Sequence, residues 1–482
     1  MQQAERRLNY WYLINSIIGV SLMLFFKFIP APAPITPVGM EVLGIFFGVI
    51  YLWTTCDSIW PSLVGVSLLG ISSYAPMNTI LMNFLGDSTV VQMLFIMVLV
   101  GAVVQSGLTN YIGRWFLTRK IINGKPWVFS FMLLLGVYVL AFLSSAFAPT
   151  FLFWPILYGI FKELDYKPGD KYPTLMLIAV VITAIFGVAS APFKDVPLIL
   201  LSNYKNVSGV EVNYASYMGL TIPLSLICLT VLILFMKYVL RPDVTSLKAI
   251  NAEMFNKNPL PPLTFKHKLL ATAFGLFVIL MLLPGILPAG PLQQFFNDNK
   301  FGFAVLLVGI LCGLKLEGKF VIDYQTVMST QVQWSTVFLI AAALTIGNAL
   351  TSEATGVTPF LKQTLTPIFG GTSEFVFIAM ILVIGLILTN LCNSAVIGMI
   401  FIPIIFTFCG TMGISADPIV SIFIFLVLMA LVTPAASPYA ALIHGNKTWF
   451  KTSDIYKYTT IISAVMLLII LVIGIPLSKL VF

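Results

Sequence analysis

The stretch from Thr389 to Asn446 decides how the rest of the chain is interpreted. It begins TNLCNSA (389–395), continues through a long apolar run, and later contains TPAASP (433–438). Two groups of polar and helix-breaking residues therefore interrupt segments that are otherwise hydrophobic. An unpaired backbone amide or carbonyl in hydrocarbon costs several kcal/mol, so neither interruption is compatible with a position facing lipid. We expect both interruptions to line a protein-walled, wet cavity, where carriers bind their solutes.

The composition indicates a multi-span membrane protein without a separate soluble domain. Hydrophobic residues make up 59% of the chain, charged residues only 9%, and the mean hydropathy is +1.00. A soluble domain carries about 25% charged residues. Arg6 and Arg7 precede the first apolar run, but Pro30, Pro32 and Pro34 spoil a cleavage region, so we expect an uncleaved first helix. The expected location is the bacterial cytoplasmic membrane, with the amino terminus in the cytoplasm.

Charge, cysteines and motifs exclude several function classes. The net charge of +8 comes from basic residues between apolar runs, as the positive-inside rule expects, and it does not indicate a nucleic-acid partner. The five cysteines form no C-x-x-C pair, so no disulfide frame or zinc site is expected. Phosphate-binding glycine loops, H-E-x-x-H and G-x-S-x-G motifs are absent from the sequence. We therefore do not expect an enzyme.

The apolar runs predict an all-α polytopic membrane protein with about eleven transmembrane helices and two re-entrant hairpins. The hairpins are Trp127–Phe161 and Glu374–Phe408, and only this reading keeps most of the 26 Lys and Arg residues on one side. The predicted units are the first-repeat scaffold helices (1–126), the first transport unit of hairpin and broken helix (127–201), a helix with a cytoplasmic linker (202–268), the second-repeat scaffold helices (269–373), the second transport unit (374–446) and the last helix (447–482).

The interruptions occur twice at matched spacing. Ser145 stands ten residues before a proline, as Asn393 stands ten residues before Pro403. Each proline is followed, 37 or 35 residues later, by a second interruption, near Pro192 and Pro438. Because the two hairpins would enter from opposite faces, this spacing predicts an inverted-topology repeat, the plan of many secondary transporters.

This duplicated layout resembles the divalent anion/sodium symporters of the ion transporter superfamily. That family carries Ser-Asn-Thr at each hairpin tip and a Gly-Thr-Pro-Pro-like break in the following helix. The corresponding segments here are Ser145-Ala146-Phe147 and Asn393-Ser394-Ala395 at the tips, and Ala189-Ser190-Ala191-Pro192 and Ala436-Ser437-Pro438-Tyr439 at the breaks. The resemblance implies a homodimer whose scaffold holds a mobile domain that carries di- or tricarboxylates by an elevator motion. It also implies two sodium sites beside the substrate.

The candidate site residues follow from anion chemistry and from this resemblance. A helix amino terminus offers unpaired N–H groups and a positive dipole end, and the helix beginning near Ala395 would aim such an end at the cavity. Asn and Ser at a tip also fit simple helix capping. The predicted substrate-binding residues are Ser144, Ser145, Thr150, Asn390, Asn393, Ser394, Ser437 and Pro438. The predicted ion-coupling residues are Ser190, Lys194, Asp195, Thr433 and Ser437, and a sodium ion, the one expected cofactor, would bind Asn393, Thr433 and Ser437.

Lys194 and Asp195 form the most unusual pair in the chain, because ionisable residues within a span are functional candidates by default. The first tip has neither the Asn nor the Thr of the family motif. We therefore expect the Lys194 ammonium to supply the charge that sodium supplies in similar transporters, with Asp195 as its partner or as a proton carrier. The alternative is a lysine that extends to the membrane surface. His444 could act as a proton switch or lie at the interface, and His267 is expected to be solvated.

The favoured function is secondary transport of small organic anions, C4 to C6 carboxylates, with sodium symport, proton symport and exchange all open. The expected partners are a small anionic substrate, membrane lipids and a second copy of the chain, and no nucleic acid. The alternative is a transporter or channel for an inorganic ion, such as sulfate, phosphate or a cation exchanged for protons, in the same superfamily. A membrane enzyme would need clustered Asp, His and Arg at one interface, which the sequence lacks.

Overall fold

The computed structural model describes residues 10–256, 260–369, 371–434 and 436–482. Arg6 and Arg7, which bear on the predicted orientation, and Ala435 of the second break lie outside the described residues. The helices of the first half are α1 (Tyr10–Phe25), α2 (Pro37–Thr55), α3 (Ile59–Ile71), α4 (Met77–Leu85), α5 (Ser88–Gln105), α6 (Leu108–Leu117), α7 (Pro126–Leu143), α8 (Phe147–Glu163), α9 (Lys171–Ala189), α10 (Asp195–Ser208) and α11 (Tyr214–Phe235).

The second half continues with the same kind of element. Its helices are α12 (Phe265–Ile286), α13 (Pro291–Asn299), α14 (Phe303–Gly313), α15 (Tyr324–Thr330), α16 (Trp334–Thr351), α17 (Val357–Phe369), α18 (Glu374–Thr389), α19 (Ser394–Met412), α20 (Asp417–Val427), α21 (Pro438–Gly445), α22 (Thr452–Ile469) and α23 (Ile475–Val481). The two short strands β1 (Lys315–Leu316) and β2 (Lys319–Phe320) form an antiparallel hairpin.

The chain is an all-α polytopic membrane protein, as the composition predicts. Eleven helical segments among the described residues are long and apolar enough to cross a membrane. The short helices α4, α13 and α15 and the β hairpin are not predicted from the sequence. They were missed because elements this short carry too few residues for a periodic hydrophobic pattern.

The order of elements repeats, with α3–α11 matching α14–α22. In each half a helical hairpin (α7 and α8, or α18 and α19) is followed by a broken helix (α9 and α10, or α20 and α21). The returning arms of both hairpins contain a proline, Pro155 and Pro403, as the spacing predicts. The halves also interlock, because α5 packs on α12, α14 and α15 whereas α16 packs on α2, α3 and α4.

Both hairpins have short non-helical tips, named here the first tip (residues 144–146) and the second tip (residues 390–393). Pro149 and Thr150 would also suggest an interruption in this hairpin from their residue types, but both lie in the first turn of α8. A proline is tolerated there because the first four N–H groups of a helix have no partner within it. At the second tip Asn393 caps α19, and its Oδ1 accepts a hydrogen bond from the Ala395 amide at 2.9 Å.

The breaks in the long helices are named the first break (residues 190–194) and the second break (residues 428–437). The first break contains Pro192, near which the spacing predicts an interruption. The second begins at Leu428, earlier than the predicted start at Thr433. The residues before α10 and α21, Lys194 and Ser437, are both extended, with φ of −150° and −159°. The residue that precedes the second helical segment therefore has the same conformation in both breaks.

The first segments of the broken helices form the centre of the molecule. Every residue of α9 from Tyr172 to Ala189 is buried, as is every residue of α20 from Pro418 to Val427. A helix that is apolar on all sides is stable only when protein surrounds it. At Gly187 a Cβ would lie 2.5 Å from the Tyr138 carbonyl oxygen, so α9 approaches α7 this closely only with glycine there. This close packing fixes the first hairpin against the first broken helix.

Candidate functional site

Two adjoining cavities lie beside the hairpin tips. The first compartment is bounded by α5 and α16, and the second compartment is bounded by α2 and α16. The first compartment has a volume of about 370 Å³, and among its lining residues are Ser144, Ser145 and Lys194. The second has a volume of about 340 Å³, and among its lining residues are the predicted Asn393, Ser394, Ser437 and Pro438. Most of the predicted site residues therefore line a cavity, but they are divided between the first and the second compartment.

The compartments share a wall to which both halves of the chain contribute. The residues that line both cavities are Phe147, Asp195, Gln333, Thr336 and Tyr439. Phe147 begins α8 of the first hairpin, and Tyr439 lies in the first turn of α21. Their ring centroids are 4.8 Å apart. An aromatic contact thus joins the first tip to the second break.

Lys194 connects the first break to the first tip. Its Nζ donates hydrogen bonds to the carbonyl oxygens of Ala141, at 2.8 Å, and of Ser144. These carbonyls lie at the carboxyl end of α7, where they have no acceptor role within the helix and where the dipole favours a cation. Lys194 is only 4% exposed. Its ammonium is therefore held inside the protein and does not extend to the membrane surface.

Asp195 lines both compartments. Its Oδ1 accepts a hydrogen bond from the Val196 amide at 3.0 Å, and within the described ranges no ion pair joins it to Lys194. Its φ is +54°, in the left-handed region. That conformation costs a non-glycine residue roughly 1–2 kcal/mol. Such strain is a reason to look for a functional role for the residue.

Asn390 joins the second tip to the second break. Its Nδ2 donates to the carbonyl oxygens of Leu386, at 2.8 Å, and Met429, at 3.2 Å. Its Oδ1 accepts from the amides of Leu431, at 2.9 Å, and Val432, at 2.8 Å. Asn390 lines neither compartment, because the side chain is fully occupied by backbone groups. This placement does not support its predicted contact with substrate, and it explains how α20 can end as early as Val427.

The predicted sodium ligands do not share one cavity. Asn393 and Ser437 line the second compartment, but Thr433 lines neither. The Thr433 hydroxyl donates to the carbonyl oxygen of Asn390 at 2.6 Å. The Ser437 hydroxyl donates to the Ala430 carbonyl oxygen at 2.6 Å. In this half, hydroxyl and amide donors therefore hold the carbonyl groups that the break sets free.

Thr150 and Ser190 lie away from both compartments. The Thr150 hydroxyl donates to the Ala146 carbonyl oxygen at 2.8 Å. The Ser190 hydroxyl donates to the Phe186 carbonyl oxygen at 2.9 Å and accepts from the Tyr138 hydroxyl at 3.1 Å. Both side chains are buried and hydrogen-bonded. Their predicted substrate and ion contacts are not supported by this placement.

The two histidines have local structural partners. His444 Nε2 lies 3.1 Å from the Val432 carbonyl oxygen in the second break. The sequence suggested that His267 is solvated, but in the structure both of its ring nitrogens have protein partners. Its Nε2 lies 2.8 Å from the Ser106 carbonyl oxygen, and its Nδ1 lies 2.9 Å from the Thr264 hydroxyl in a capping box that begins α12. A polar linker gives no sequence signal for such a cap beyond its Thr.

Three helix amino termini reach the second compartment, since α10, α19 and α21 begin at its lining residues Asp195, Ser394 and Pro438. Each terminus presents a positive dipole end. One first-turn amide of each helix, that of Val196, Ala395 or Ala440, is already capped by Asp195, Asn393 or Ser437. Asp195 is the one charged side chain among the residues that line this compartment. Attraction for an anion therefore comes from backbone groups and short polar side chains, in a cavity that also contains a carboxylate.

Sequence reasoning missed four residues of the shared wall. Gln333 and Thr336 begin a scaffold helix and are ordinary residues for a helix start, so no pattern distinguishes them. Phe147 directly follows the first tip, and Tyr439 follows Pro438, the first residue of α21. Both end a segment matched to the family motif, and that position was the available signal.

Comparison with known proteins gives a family and a fold. Residues 48–420 match the family described as CitMHS, citrate transporter. The crystal structure of the YdaH transporter of Alcanivorax borkumensis, described as having an unusual topology, is similar with a TM-score of 0.53. The sequences are 14% identical, over 98% of this chain and 96% of that chain, so this likeness concerns the fold alone. No curated protein matches the chain.

The family match confirms that the chain belongs to a transporter family, as the interrupted helices predicted. Membership among the divalent anion/sodium symporters themselves stays a prediction, as do the orientation in the membrane and the coupling ion. The match covers residues 48–420, which include the first hairpin, the first break and the second hairpin. The chain belongs to the citrate transporter family.

Proposed function

We propose that this protein is a secondary active transporter that moves small di- and tricarboxylates across the cytoplasmic membrane. The observation that carries the proposal is the second compartment, where three helix amino termini meet beside Asn393, Ser394 and Ser437. A volume of about 340 Å³ suits a small molecule. The family name supports a carboxylate such as citrate as the passenger.

The Ser394 hydroxyl is the clearest side-chain donor for the substrate. Ser394 is only 6% exposed, lines the second compartment, and makes no hydrogen bond through its hydroxyl to any residue in the described ranges. A buried hydroxyl normally has a partner. We assign that partner to a substrate carboxylate, together with the N–H groups that begin α19.

Coupling by protons or by exchange is the mode that the geometry supports best. Lys194 already places a positive charge against the first-tip carbonyl groups, where a sodium ion would otherwise act. Asp195 places a carboxylate in a cavity suited to anions, and it would repel an anionic passenger unless it takes up a proton. We therefore assign Lys194 a fixed charge and Asp195 the role of proton carrier.

An elevator motion and a homodimer complete the proposal. The hairpins and broken helices pack into one unit around the buried α9 and α20, since α7 and α8 pack on α9 whereas α18 and α19 pack on α20. The first compartment lies between this unit and helices α5 and α16, and the second lies between it and helices α2 and α16. Movement of the unit along these helices would carry the second compartment with it. The homodimer rests on the family resemblance.

The test is uptake into proteoliposomes by the purified full-length protein. A panel of C4 to C6 carboxylates, sulfate and phosphate would be offered with and without sodium, with and without a pH gradient, and with dicarboxylate inside for counterflow. We expect carboxylate uptake that needs no sodium. Uptake of sulfate or phosphate alone would instead favour the inorganic-ion alternative, and uptake that stops without sodium would refute the assigned coupling.

A matched pair of serine variants tests the site itself. Ser394→Ala removes the unpartnered hydroxyl, and we expect about a tenfold higher KM, which corresponds to ~1.4 kcal/mol at 25 °C. Ser421→Ala is the control, because the Ser421 hydroxyl is also buried but donates to the Asp417 carbonyl oxygen within α20 at 2.7 Å. Equal KM values for both variants would remove Ser394 from the site.

A further inference from the structure

The wall between the compartments contains a tyrosine whose polar end has no partner in the protein. Tyr439 lines both cavities, and its hydroxyl makes no hydrogen bond to any residue in the described ranges. Tyrosines inside proteins usually find a hydrogen-bond partner for this group. The unpartnered hydroxyl therefore faces the cavities.

Other tyrosines of the hairpins and broken helices behave differently. The Tyr138 hydroxyl donates to Ser190 at 3.1 Å, and the Tyr204 hydroxyl donates to Asp417 at 2.6 Å. The Tyr158 hydroxyl accepts from Asn446 at 2.8 Å. Since these three hydroxyls have protein partners, the free hydroxyl of Tyr439 differs from them, and it lies where the two compartments meet.

The ring of Tyr439 closes the wall together with Phe147. Their centroids are 4.8 Å apart at an angle of 49°, and Phe147 is also stacked on Phe151, 6.0 Å away. Phe147 follows the first tip and Tyr439 follows the second break, so neither half of the chain can form this wall alone. A passenger longer than the second compartment would have to displace this aromatic pair to reach Ser145 in the first.

We propose that Tyr439 determines substrate selection, because its hydroxyl donates a hydrogen bond to a substrate carboxylate in the second compartment and its ring limits the passenger to that compartment. This inference rests on the proposed function and adds to it a residue and a basis for length selection. Pro438 and Tyr439 lie in the first turn of α21, where the helix amino terminus also favours the carboxylate.

Three variants separate the hydroxyl from the ring. Tyr439→Phe keeps the ring, and we expect about a tenfold higher KM for the best carboxylate with an unchanged order of preference among chain lengths. Tyr439→Leu and Phe147→Leu open the wall, and we expect each to raise the preference for C6–C8 over C4 dicarboxylates at least fivefold. The measurement is uptake and competition in proteoliposomes, with the folding of each variant checked by its thermal unfolding in detergent.

Tyr111→Phe is the matched control. It also removes a tyrosine hydroxyl, but one that donates to the Pro261 carbonyl oxygen at 2.9 Å, away from both compartments. We expect this variant to transport as the wild type does. An unchanged KM in Tyr439→Phe would overturn the hydrogen bond between the Tyr439 hydroxyl and the substrate carboxylate. An unchanged preference for chain length in Tyr439→Leu would overturn the proposal that the ring limits the passenger to the second compartment. If the wild type takes up no carboxylate, the proposed function fails and this inference fails with it.

Discussion

Replacement of Lys194 by alanine tests whether the protein carries its own cation at the first tip. The change removes two charge-assisted hydrogen bonds, to the carbonyl oxygens of Ala141 and Ser144. Hydrogen bonds to charged groups contribute about 1.5–3 kcal/mol each, so the gross loss is about 3–6 kcal/mol. Removing a buried charge recovers part of this, because burial of an ion costs several kcal/mol. We expect a net weakening of about 2 kcal/mol in the attachment of the first tip.

We expect this weakening to lower the transport rate more than it lowers the stability of the folded protein. A factor of ten corresponds to ~1.4 kcal/mol at 25 °C, so 2 kcal/mol reduces the population of the correctly held tip about 30-fold. We expect uptake by Lys194→Ala in proteoliposomes to fall at least tenfold. Added sodium should restore part of it, because two carbonyl oxygens and the space left by the side chain would then be free for a small cation.

Two further variants make the result decisive. Lys194→Arg keeps the charge but cannot place a single ammonium between the same two carbonyl groups, and we expect intermediate uptake without stimulation by sodium. Lys319→Ala removes an exposed lysine of β2, and should transport normally. Full activity in both Lys194 variants would refute the reasoning. Sodium stimulation of the wild type at the level of Lys194→Ala would do the same.

The remaining predictions concern Asp195 and Asn390. Asp195→Asn keeps the size of the side chain but cannot take up a proton, so we expect pH-gradient-driven uptake to be lost while counterflow persists; pH dependence equal to that of the wild type would contradict this. Asn390→Leu leaves four backbone partners without their hydrogen bonds, which at about 1 kcal/mol each gives a loss of about 4 kcal/mol in unfolding free energy. Thermal unfolding in detergent checks this, and a Tm within ~2 °C of the wild type would be evidence against it.

The interruptions were predictable because they place polar residues where lipid-exposed backbone is forbidden. Asn393 at the second tip and Ser190 at the first break stand out in apolar runs, and both lie at helix ends in the structure. The start of the second break was not predictable, since Leu428 and its neighbours are apolar and look like continuing helix. Their non-helical backbone is stabilised by hydrogen bonds to the Asn390 and Ser437 side chains, which no local pattern reveals.

The sequence predicts the site residues at the hairpin tips, but it does not predict those of the wall shared by the two compartments. Motif reasoning finds Ser145 and Ser394, which interrupt helices. It includes Phe147 and Tyr439 in the matched segments but does not identify them as wall residues, because aromatic residues in a membrane protein are indistinguishable by pattern from those that pack in its core. It also cannot distinguish Asn390, which binds backbone groups, from an asparagine that faces a cavity. An asparagine amide is equally suited to bind backbone groups or a substrate.

The interlocking of α5 with α12, α14 and α15, and of α16 with α2, α3 and α4, has a consequence for biosynthesis. When the first half leaves the ribosome, α2–α4 lack the neighbour that covers them, and that neighbour begins only at Trp334. Helices α2–α4 are therefore expected to be in the bilayer before they can pack against α16, until that helix has been translated. A chain severed in the linker before α12 would need both fragments made in the same cell to produce one working protein.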